Sequence, residues 1–438
     1  MRSVLLVVGL IMAGCMGSPT QTASVADLPD LLPGPISEVV TVLDEEGGTG
    51  EPSFGVAPDG TLFANGDGGR GGGVYRSTDR GATWERIATP VEPMINADPD
   101  LAVDKDGNVW FSALWIGCTS VAVSRDAGES FSFNPAVCNG PGSDRQYVIP
   151  TTGGTAYIYS HQLPTFWQMA AKTTDYGATW IPLGSTEGAN FLLLNEGSGW
   201  GGGGFWNEAK DSVYFTFTWS QGGGLDAFND VAPSAPGYTV SHDGGATWTV
   251  GTAKSMGGRG LGLGLVTGAA DAAGNVYLVW GEEKDKDVAI YLASSTDDGA
   301  TWNEPVRVDQ GPGTGSKVFP TITAGPAGKV AVAYYQADVD AYPSDVGEDA
   351  MWNVTLAWTD DALAAAPTFE HGTLSAHPIK KGAICINGTT CQGDREFADY
   401  FQIHRLPDGR VGAIFNSLLD VKDTTVEVYA ATKDAVLG

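Results

Sequence analysis

The stretch that decides the fold is STDRGATWERI, residues 77–87. Its first eight residues follow the pattern Ser/Thr-x-Asp-x-Gly-x-Thr/Ser-Trp/Phe. Four further copies begin at Ser124, Thr173, Ser241 and Ser295. A sixth copy at Thr359 lacks the Gly, and successive copies begin 47 to 68 residues apart. This regular recurrence predicts a chain built from one repeated structural unit.

The residue types of the motif are those of a tight turn between two strands. The Asp carboxylate accepts hydrogen bonds from N–H groups of the turn, and the Ser/Thr hydroxyl adds another. Gly takes a backbone conformation that a Cβ disfavours, and the aromatic ring fills the gap toward neighbouring strands. We therefore expect a structural role for the five motif carboxylates, which are Asp79, Asp126, Asp175, Asp243 and Asp297.

These residues resemble the Asp-box, the bacterial neuraminidase repeat of sialidases and many other β-propellers. The resemblance covers the chain from the first copy to the sixth and implies an all-β propeller. A second repeat supports it, because an apolar strand, a short turn and another apolar strand recur seven times, as in DLAVDKDGNVWFSA, residues 100–113. We predict seven four-stranded antiparallel blades, whereas sialidase catalytic domains have six.

The seventh hairpin indicates how the ring closes. It is followed by TTVEVYAATKD, residues 424–434, a third strand that runs into the first half of another motif copy. Its blade would then lack an outer strand, and the only unassigned strand-like segment is ISEVVTVLDE, residues 36–45. We predict that this segment pairs with Val426–Thr432, so that no loose edge remains between the first and last blades.

The first residues have the character of an export signal. Arg2 precedes a nine-residue apolar run that is too short to span a bilayer. The sequence Met-Ala-Gly-Cys that follows resembles the lipobox of prokaryotic lipoproteins, in which the Cys, here Cys15, becomes lipid-modified. We predict a signal peptide at 1–14, a lipid-anchored tether at 15–34 and the propeller at 35–438. The expected location is the extracytoplasmic cell surface, with plain secretion as the alternative.

The remaining cysteines and the charge agree with export. The even number of cysteines beyond Cys15 predicts two disulfides, among Cys118, Cys138, Cys385 and Cys391. Their positions favour a bridge between neighbouring loops for the first two and a small closed loop for the last two. A net charge of −28 repels phosphate backbones and excludes nucleic-acid binding. We expect a monomer that meets the membrane only through its lipid.

Candidate functional residues lie just before the first strand of each blade. The long insertions fall in the loops between strands 2 and 3 and in the links between blades, which share one face of a propeller, and function is expected on that loop-bearing face. The innermost strands begin around the central axis of the same face. The residues that should converge there are Glu51, Asp98, Asp100, Asp144, Arg145, Arg259, Lys317, Asp394, Arg395, Glu396, Asp399 and Tyr400.

The sialidase resemblance assigns roles to several of these residues. Sialidases hold the substrate carboxylate with three arginines and use a Tyr nucleophile assisted by Glu, with an Asp acid/base. The resemblance implies a carboxylate grip by Arg145, Arg259 and Arg395. It also implies a catalytic set of Tyr400, Glu396 and either Asp98 or Asp100. The family's first arginine lies in an Arg-Ile-Pro motif on the opening strand, which here reads EPSFGVAP and has no arginine.

Two other roles for the charged set stay open. Each Asp-Arg pair, Asp144–Arg145 and Asp394–Arg395, is explained equally by an ion pair that holds a strand start or a link. A calcium site is the other alternative, since carboxylate oxygens near an axis are hard donors. Its candidate ligands are Asp98, Asp100, Asp144, Asp394 and Asp399.

Three functions follow from these patterns. The first is a surface recognition propeller that binds a glycan or a protein ligand on its loop-bearing face. The second is an exo-acting, sialidase-like glycoside hydrolase, and the third is a purely structural envelope protein. Arginines that converge on one pocket with Tyr400 and a carboxylate would favour the enzyme, whereas arginines paired with their neighbouring Asp would favour binding.

Overall fold

A computed structural model describes residues 36–44, 50–66, 73–90, 97–115, 117–138, 142–162, 167–186, 200–220, 234–260, 265–386, 391–397, 399–422 and 424–438. The predicted signal peptide, Cys15 and the tether lie outside these ranges. Every regular element within them is a β-strand. The described residues contain no helix that is long and apolar enough to cross a membrane.

The strands form seven antiparallel sheets, six of them made of consecutive segments and the seventh completed by the N-terminal strand, so the predicted seven-bladed propeller is confirmed. Blade 1 contains β2 (Ser53–Val56), β3 (Leu62–Asn65), β4 (Val74–Ser77) and β5 (Glu85–Ile87). Blade 2 contains β6 (Ala97–Val103), β7 (Val109–Trp115), β8 (Cys118–Ser124) and β9 (Ser132–Val137). Blade 3 contains β10 (Ser143–Pro150), β11 (Ala156–Gln162), β12 (Trp167–Thr173) and β13 (Ile181–Ser185).

The remaining blades follow the same plan. Blade 4 contains β14 (Gly201–Asn207), β15 (Ser212–Ser220), β16 (Ser234–Ser241) and β17 (Thr249–Thr252). Blade 5 contains β18 (Arg259–Gly260), β19 (Thr267–Ala270), β20 (Val276–Lys284), β21 (Asp287–Ser295) and β22 (Val306–Arg307). Blade 6 contains β23 (Lys317–Ala324), β24 (Val330–Ala337), β25 (Met351–Thr359), β26 (Glu370–Thr373) and β27 (Lys380–Lys381). Blade 7 contains β28 (Gln402–Arg405), β29 (Val411–Val421), β30 (Thr424–Thr432) and β1 (Ser37–Val42).

The N-terminal strand completes the last blade, as predicted. β1 runs antiparallel to β30, with Ser37 opposite Thr432 and Val42 opposite Val428. The pairing continues beyond β1, because Lys433 N–H donates to the carbonyl of Ile36 at 2.7 Å. Each inner strand packs beside the inner strand of the next blade, and β28 packs beside β2. The ring is therefore closed both by strand pairing and by packing at the axis.

The turn motif makes the hydrogen bonds that its residue types predict. In the first copy Thr83 donates to Asp79 through its N–H at 2.9 Å and its hydroxyl at 2.6 Å. The Ser77 hydroxyl donates to the same carboxylate at 2.8 Å and accepts from Gly81 N–H at 2.8 Å. Arg80 and Gly81 have φ of +64° and +87°, so two successive left-handed residues form the turn. The same carboxylate contacts recur at Asp126, Asp175, Asp243 and Asp297.

The motif aromatic residues join neighbouring blades. The Trp84 ring of blade 1 meets the Tyr429 ring of blade 7 edge to face, with centroids 5.3 Å apart. Trp302 of blade 5 meets Tyr238 of blade 4 at 5.3 Å, and its indole N–H lies 3.1 Å from the Tyr238 hydroxyl. These contacts fill the gaps between blades, the role predicted for this position.

Both disulfides are present. Cys118, at the start of β8, is bonded to Cys138, which follows β9, with Cα atoms 4.7 Å apart. Cys385 and Cys391 close a short loop in the link between β27 and β28. The bonds therefore hold segments of the loop-bearing face in blade 2 and before blade 7.

Candidate functional site

A strained backbone position recurs where the inner strands begin. Glu51, Asp98, Arg145 and Phe319 have φ of +48°, +47°, +49° and +55°, and each precedes the first turn of its blade by the same number of residues. A non-glycine residue in this region costs about 1 to 3 kcal/mol, and such strain is concentrated at functional sites. The corresponding points of blades 4, 5 and 7 carry glycine, Leu265 and Tyr400.

These seven points divide the ring into two arcs. Tyr400, Glu51, Asp98 and Arg145 belong to blades 7, 1, 2 and 3, which are consecutive around the ring. The glycines of 201–204, Leu265 and Phe319 belong to blades 4, 5 and 6. The axis is therefore bordered by a polar arc on one side and an apolar arc on the other.

The polar arc is joined by contacts that cross the axis. Arg145 of blade 3 pairs with Asp399 of the link before blade 7, and its Nη2 lies 3.7 Å from Glu51 Oε1 of blade 1. The Tyr400 hydroxyl of blade 7 donates to the carbonyl of Pro99 in blade 2 at 2.9 Å. Because these contacts skip intervening blades, the strand starts of blades 7, 1, 2 and 3 lie close together at the axis. We call Glu51, Asp98, Asp100, Asp144, Arg145, Asp399 and Tyr400 the axial cluster.

Asp100 lies one layer deeper in the axial cluster. Its carboxylate accepts hydrogen bonds from Val148 N–H at 2.8 Å and from Gln402 Nε2 at 3.2 Å. Gln402 in turn accepts from Phe54 N–H at 2.7 Å, so this layer ties blades 1, 2, 3 and 7 together. Burial raises the pKa of Asp100 to about 6, although its hydrogen bonds act in the opposite direction.

Asp98 and Asp144 form a carboxyl pair with opposite proton preferences. Their side chains are hydrogen-bonded to each other, and Asp144 Oδ2 lies 3.3 Å from His161 Nε2. Burial, followed by the charge of Glu51, raises the pKa of Asp98 well above its usual value. Burial also acts to raise the pKa of Asp144, but the contacts with His161, Asp98 and Arg145 together outweigh it and the pKa is lowered. A neutral acid and a charged carboxylate therefore lie side by side.

Tyr400 is held as a neutral phenol. The residue is 7% exposed. Burial and then the charge of Glu51 raise its pKa well above the usual value. A Tyr nucleophile needs the opposite environment, one that favours the phenolate. Glu396, the predicted assistant, hydrogen-bonds Lys380 Nζ at 2.9 Å. The carboxylate that acts most strongly on Tyr400 is thus Glu51.

Two of the three predicted arginines meet at one carboxylate of the protein itself. Arg395 Nη2 donates to Asp399 Oδ2 at 2.8 Å, and Arg145 pairs with the same oxygen. The predicted ion pairs Asp144–Arg145 and Asp394–Arg395 are not present, because both arginines pair with Asp399 instead. Arg259 lies in β18 with its backbone opposite Glu283, and its side chain lies outside the described part of the structure.

The calcium prediction gains no support from the described residues. Asp394 is exposed, and its carbonyl accepts from Cys385 N–H at 2.8 Å. Asp399 is already bound by two guanidinium groups. Within the described ranges no group of three or more His, Cys, Asp or Glu side chains is arranged to hold a metal ion.

Two residues of this site, His161 and Tyr147, were missed by the sequence reasoning. His161 is fully buried, and its ring meets the Trp200 ring edge to face at 5.3 Å. The Arg145 guanidinium lies 5.6 Å from the centre of the Trp200 ring, and the rings of Tyr147 and Tyr400 are 5.8 Å apart. His161 is the next-to-last residue of the second strand of blade 3, so the sequence signal for it was a His near the axial end of a strand that begins with apolar residues.

Comparisons with known proteins give the fold and no family. No family model matches the sequence, and no curated protein matches it. YCF48 from Cyanidioschyzon merolae is similar at a TM-score of 0.52 and 13% identity, over 89% of this chain and 98% of that chain. The polysaccharide lyase Uly1 is similar at a TM-score of 0.52 and 11% identity, over 88% and 90% of the two chains. The Hadza microbial sialidase Hz136 reaches a TM-score of 0.45 and 16% identity over 92% and 69%, too low a likeness to support an argument about activity.

Proposed function

We propose that this protein is an exported β-propeller, anchored to a membrane through Cys15, that binds a glycan or a protein ligand at the axial cluster. A glycan is the ligand we favour. The observation that carries the proposal is the division of the axial ring into a polar and an apolar arc on the face that bears the disulfide-held loops. Sugars present hydroxyl groups on their edges and C–H groups on their faces, and binding sites of small ligands combine apolar surface with a few polar groups in the same way.

Unpaired polar atoms within the axial cluster support a hydroxylated ligand. Among the described residues, Glu51 Oε2 and Asp399 Oδ1 are buried acceptors without a donor, and Arg145 Nη1 is a buried donor without an acceptor. Buried polar groups in proteins are almost always paired, because an unmet group costs about 1 to 3 kcal/mol. Hydroxyl groups both donate and accept hydrogen bonds, so the hydroxyl groups of a sugar are suited to bind these acceptor and donor atoms.

The compartment is proposed on chemical grounds. Disulfides persist mainly in oxidising compartments, and the structure contains two. The five complete turn motifs, which we take to be Asp-boxes, and the strongly acidic composition suit a soluble domain held outside the cytoplasm. We propose that it acts as a monomer and binds no nucleic acid.

A glycan array with the purified domain tests the proposal. We expect binding to a defined set of glycans and no turnover of a fluorogenic sialoside. An Arg395→Ala variant should lose or alter binding, since the Arg395 side chain is 35% exposed beside the cluster. Turnover of the sialoside by the wild type that is lost in Arg395→Ala would overturn this ranking of functions.

The second candidate is an exo-acting, sialidase-like glycoside hydrolase. Asp98 favours it, because burial keeps this carboxyl group protonated and a glycosidase needs a protonated carboxyl group as its general acid, whereas Asp144 is hydrogen-bonded to Asp98 and lies too close to act from the other side of a glycosidic bond. The proton on Asp98 would pass to the oxygen of the leaving group. A panel of fluorogenic glycosides tests this candidate. Turnover of one glycoside by the wild type that is abolished in Asp98→Asn would support hydrolysis. A glycoside that the wild type leaves intact is not a substrate.

A further inference from the structure

The two arginines of the site have an internal partner. Asp399 is 1% exposed, and its Oδ2 is contacted by both Arg145 and Arg395. Paired arginines on one carboxylate are a typical arrangement for recognising a ligand carboxylate. Here the carboxylate is supplied by the link before blade 7, in the segment that follows the Cys385–Cys391 loop. A ligand carboxylate would have to displace Asp399 to reach them.

The charge of the cluster also disfavours an anion. Its carboxyl groups belong to Glu51, Asp98, Asp100, Asp144 and Asp399, whereas Arg145 and Arg395 supply the two guanidinium groups around them. Even with Asp98 protonated, the acidic groups are in excess. The whole chain carries a net charge of −28, which repels approaching anions and attracts cations over longer distances.

Unpaired carboxylate oxygens give an independent sign of what is bound. Glu51 is 2% exposed and Asp399 is 1% exposed, and no described residue donates a hydrogen bond to Glu51 Oε2 or to Asp399 Oδ1. Both are charged acceptors that need N–H or O–H groups from elsewhere. An ammonium group supplies several donors together with the opposite charge.

We infer that Asp399 is an internal counter-ion that occupies both arginines, so that the site rejects carboxylate-bearing ligands and binds glycans that carry free ammonium groups. This inference rests on the proposed glycan binding and adds its charge preference. Asp399 is the residue that determines specificity, and Glu51 is the acceptor that meets the ammonium group.

Calorimetric titration with three glycans of equal length tests the charge preference. The set is a glucosamine oligomer, its N-acetylated form and a galacturonate oligomer, each at pH 6 and low salt. We expect the glucosamine oligomer to bind at least tenfold more tightly than the galacturonate oligomer, with the neutral oligomer between them. An equal or reversed order would overturn the inference but leave glycan binding intact. Failure of all three to bind would overturn the inference, whereas the proposed function is contradicted only if the glycan array is also empty.

Asp399→Asn tests the counter-ion directly. The variant should release both arginines, so that affinity for the galacturonate oligomer rises about tenfold and affinity for the glucosamine oligomer falls. Asp349→Asn makes the same charge change at an exposed residue paired with Lys381, and it should leave the ranking unchanged. An unchanged ranking in a folded Asp399→Asn protein counts against the inference. If that variant does not fold, the wild-type ranking still decides.

Discussion

At the residue scale, the site is marked by strained backbone at the strand starts and by buried carboxyl groups with raised pKa values. Glu51, Asp98 and Arg145 hold a left-handed backbone at the starts of three neighbouring inner strands. Their side chains are aimed at the axis, where Arg145 meets Glu51 and Asp399. Strain of this kind persists only where surrounding packing enforces it, and it is common where a ligand must be met in a fixed geometry.

Stability should fall as the pH rises through the pKa of Asp100. Its folded pKa of about 6 exceeds the ordinary value of an Asp, so the folded protein holds the proton more tightly between about pH 4 and pH 6. Ionisation of Asp100 should cost the folded state about 2 kcal/mol by pH 7, relative to pH 4.

An Asp100→Asn variant should show a flatter profile of unfolding free energy over this range. The amide oxygen can still accept from Val148 N–H, whereas the hydrogen bond from Gln402 Nε2 is lost because the Asn nitrogen faces it. Urea unfolding at half-unit steps from pH 4 to pH 7 gives both profiles. Parallel curves for the two proteins would show that Asp100 ionises without a penalty.

The proton on Asp98 should depend on His161, although the two side chains are linked only through Asp144. His161→Gln removes the contact that favours the ionised form of Asp144. The shared proton should then move toward Asp144, and the pKa of Asp98 should fall by one unit or more. Carboxyl NMR titration of ¹³C-labelled Asp, assigned with Asp98→Asn, measures this shift. An unmoved Asp98 resonance would show that His161 has only a packing role.

At the element scale, the repeated turn is a local unit that each blade uses independently. Its carboxylate is satisfied within four residues by the hydroxyl and N–H groups of the same turn. Local units of this kind can be read from sequence because no distant contact is needed to form them. The five complete copies should therefore make nearly additive contributions to stability.

Asp175→Ala should lower the melting temperature by about 2 °C at neutral pH. It removes three hydrogen bonds, two from Thr179 and one from Thr173. The pKa of Asp175 is lowered mainly by the hydrogen bond from the Thr179 hydroxyl, so this stabilisation is present above about pH 4 and is lost in acid.

Differential scanning calorimetry at pH 7 and pH 3 measures this effect. The difference from wild type should shrink at pH 3. The control, Asp106→Ala, changes an exposed carboxylate in a hairpin turn outside the motif. It should leave the melting temperature within about 0.5 °C of the wild-type value at both pH values. A pH-independent effect of Asp175→Ala would contradict the role given to its charge.

At the scale of the whole molecule, closure of the ring positions the axial cluster. β1 covers β30, whose residues Val428 and Tyr429 are almost fully buried. Without β1 the last blade would expose a strand edge and an apolar surface, and such edges promote aggregation. The starts of β2 and β28 would then be held less firmly against each other.

Deletion of residues 36–44 should abolish cooperative unfolding and produce oligomers. Deletion of residues 16–30, in the predicted tether, is the matched control and should change neither property. Thermal unfolding followed by circular dichroism, with light scattering for mass, distinguishes them. A stable, monomeric, fully β protein that lacks residues 36–44 would contradict closure by β1.

Sequence reasoning reached the architecture because its signals are short-ranged. The hairpins and turn motifs are each contained in about a dozen residues, and the half motif after Thr432 predicted the pairing with β1. It also pointed to the strand starts near the axis, where the structure brings together Glu51, Asp98, Arg145 and Tyr400. It did not predict that Arg145 and Arg395 both pair with Asp399. That pairing depends on the path of the link before blade 7 and on left-handed strand starts, neither of which has a local pattern.

The central claim, that the polar arc of the axial cluster binds a ligand, is tested most directly by calorimetric titration of the best glycan-array ligand. Glu51→Gln changes the buried carboxylate at the axial end of blade 1, and Asp59→Asn changes an exposed one in the turn at the other end of the same hairpin strand. We predict that Glu51→Gln weakens binding at least tenfold and that Asp59→Asn binds as the wild type does. Equal affinity of folded Glu51→Gln and wild type would contradict the account.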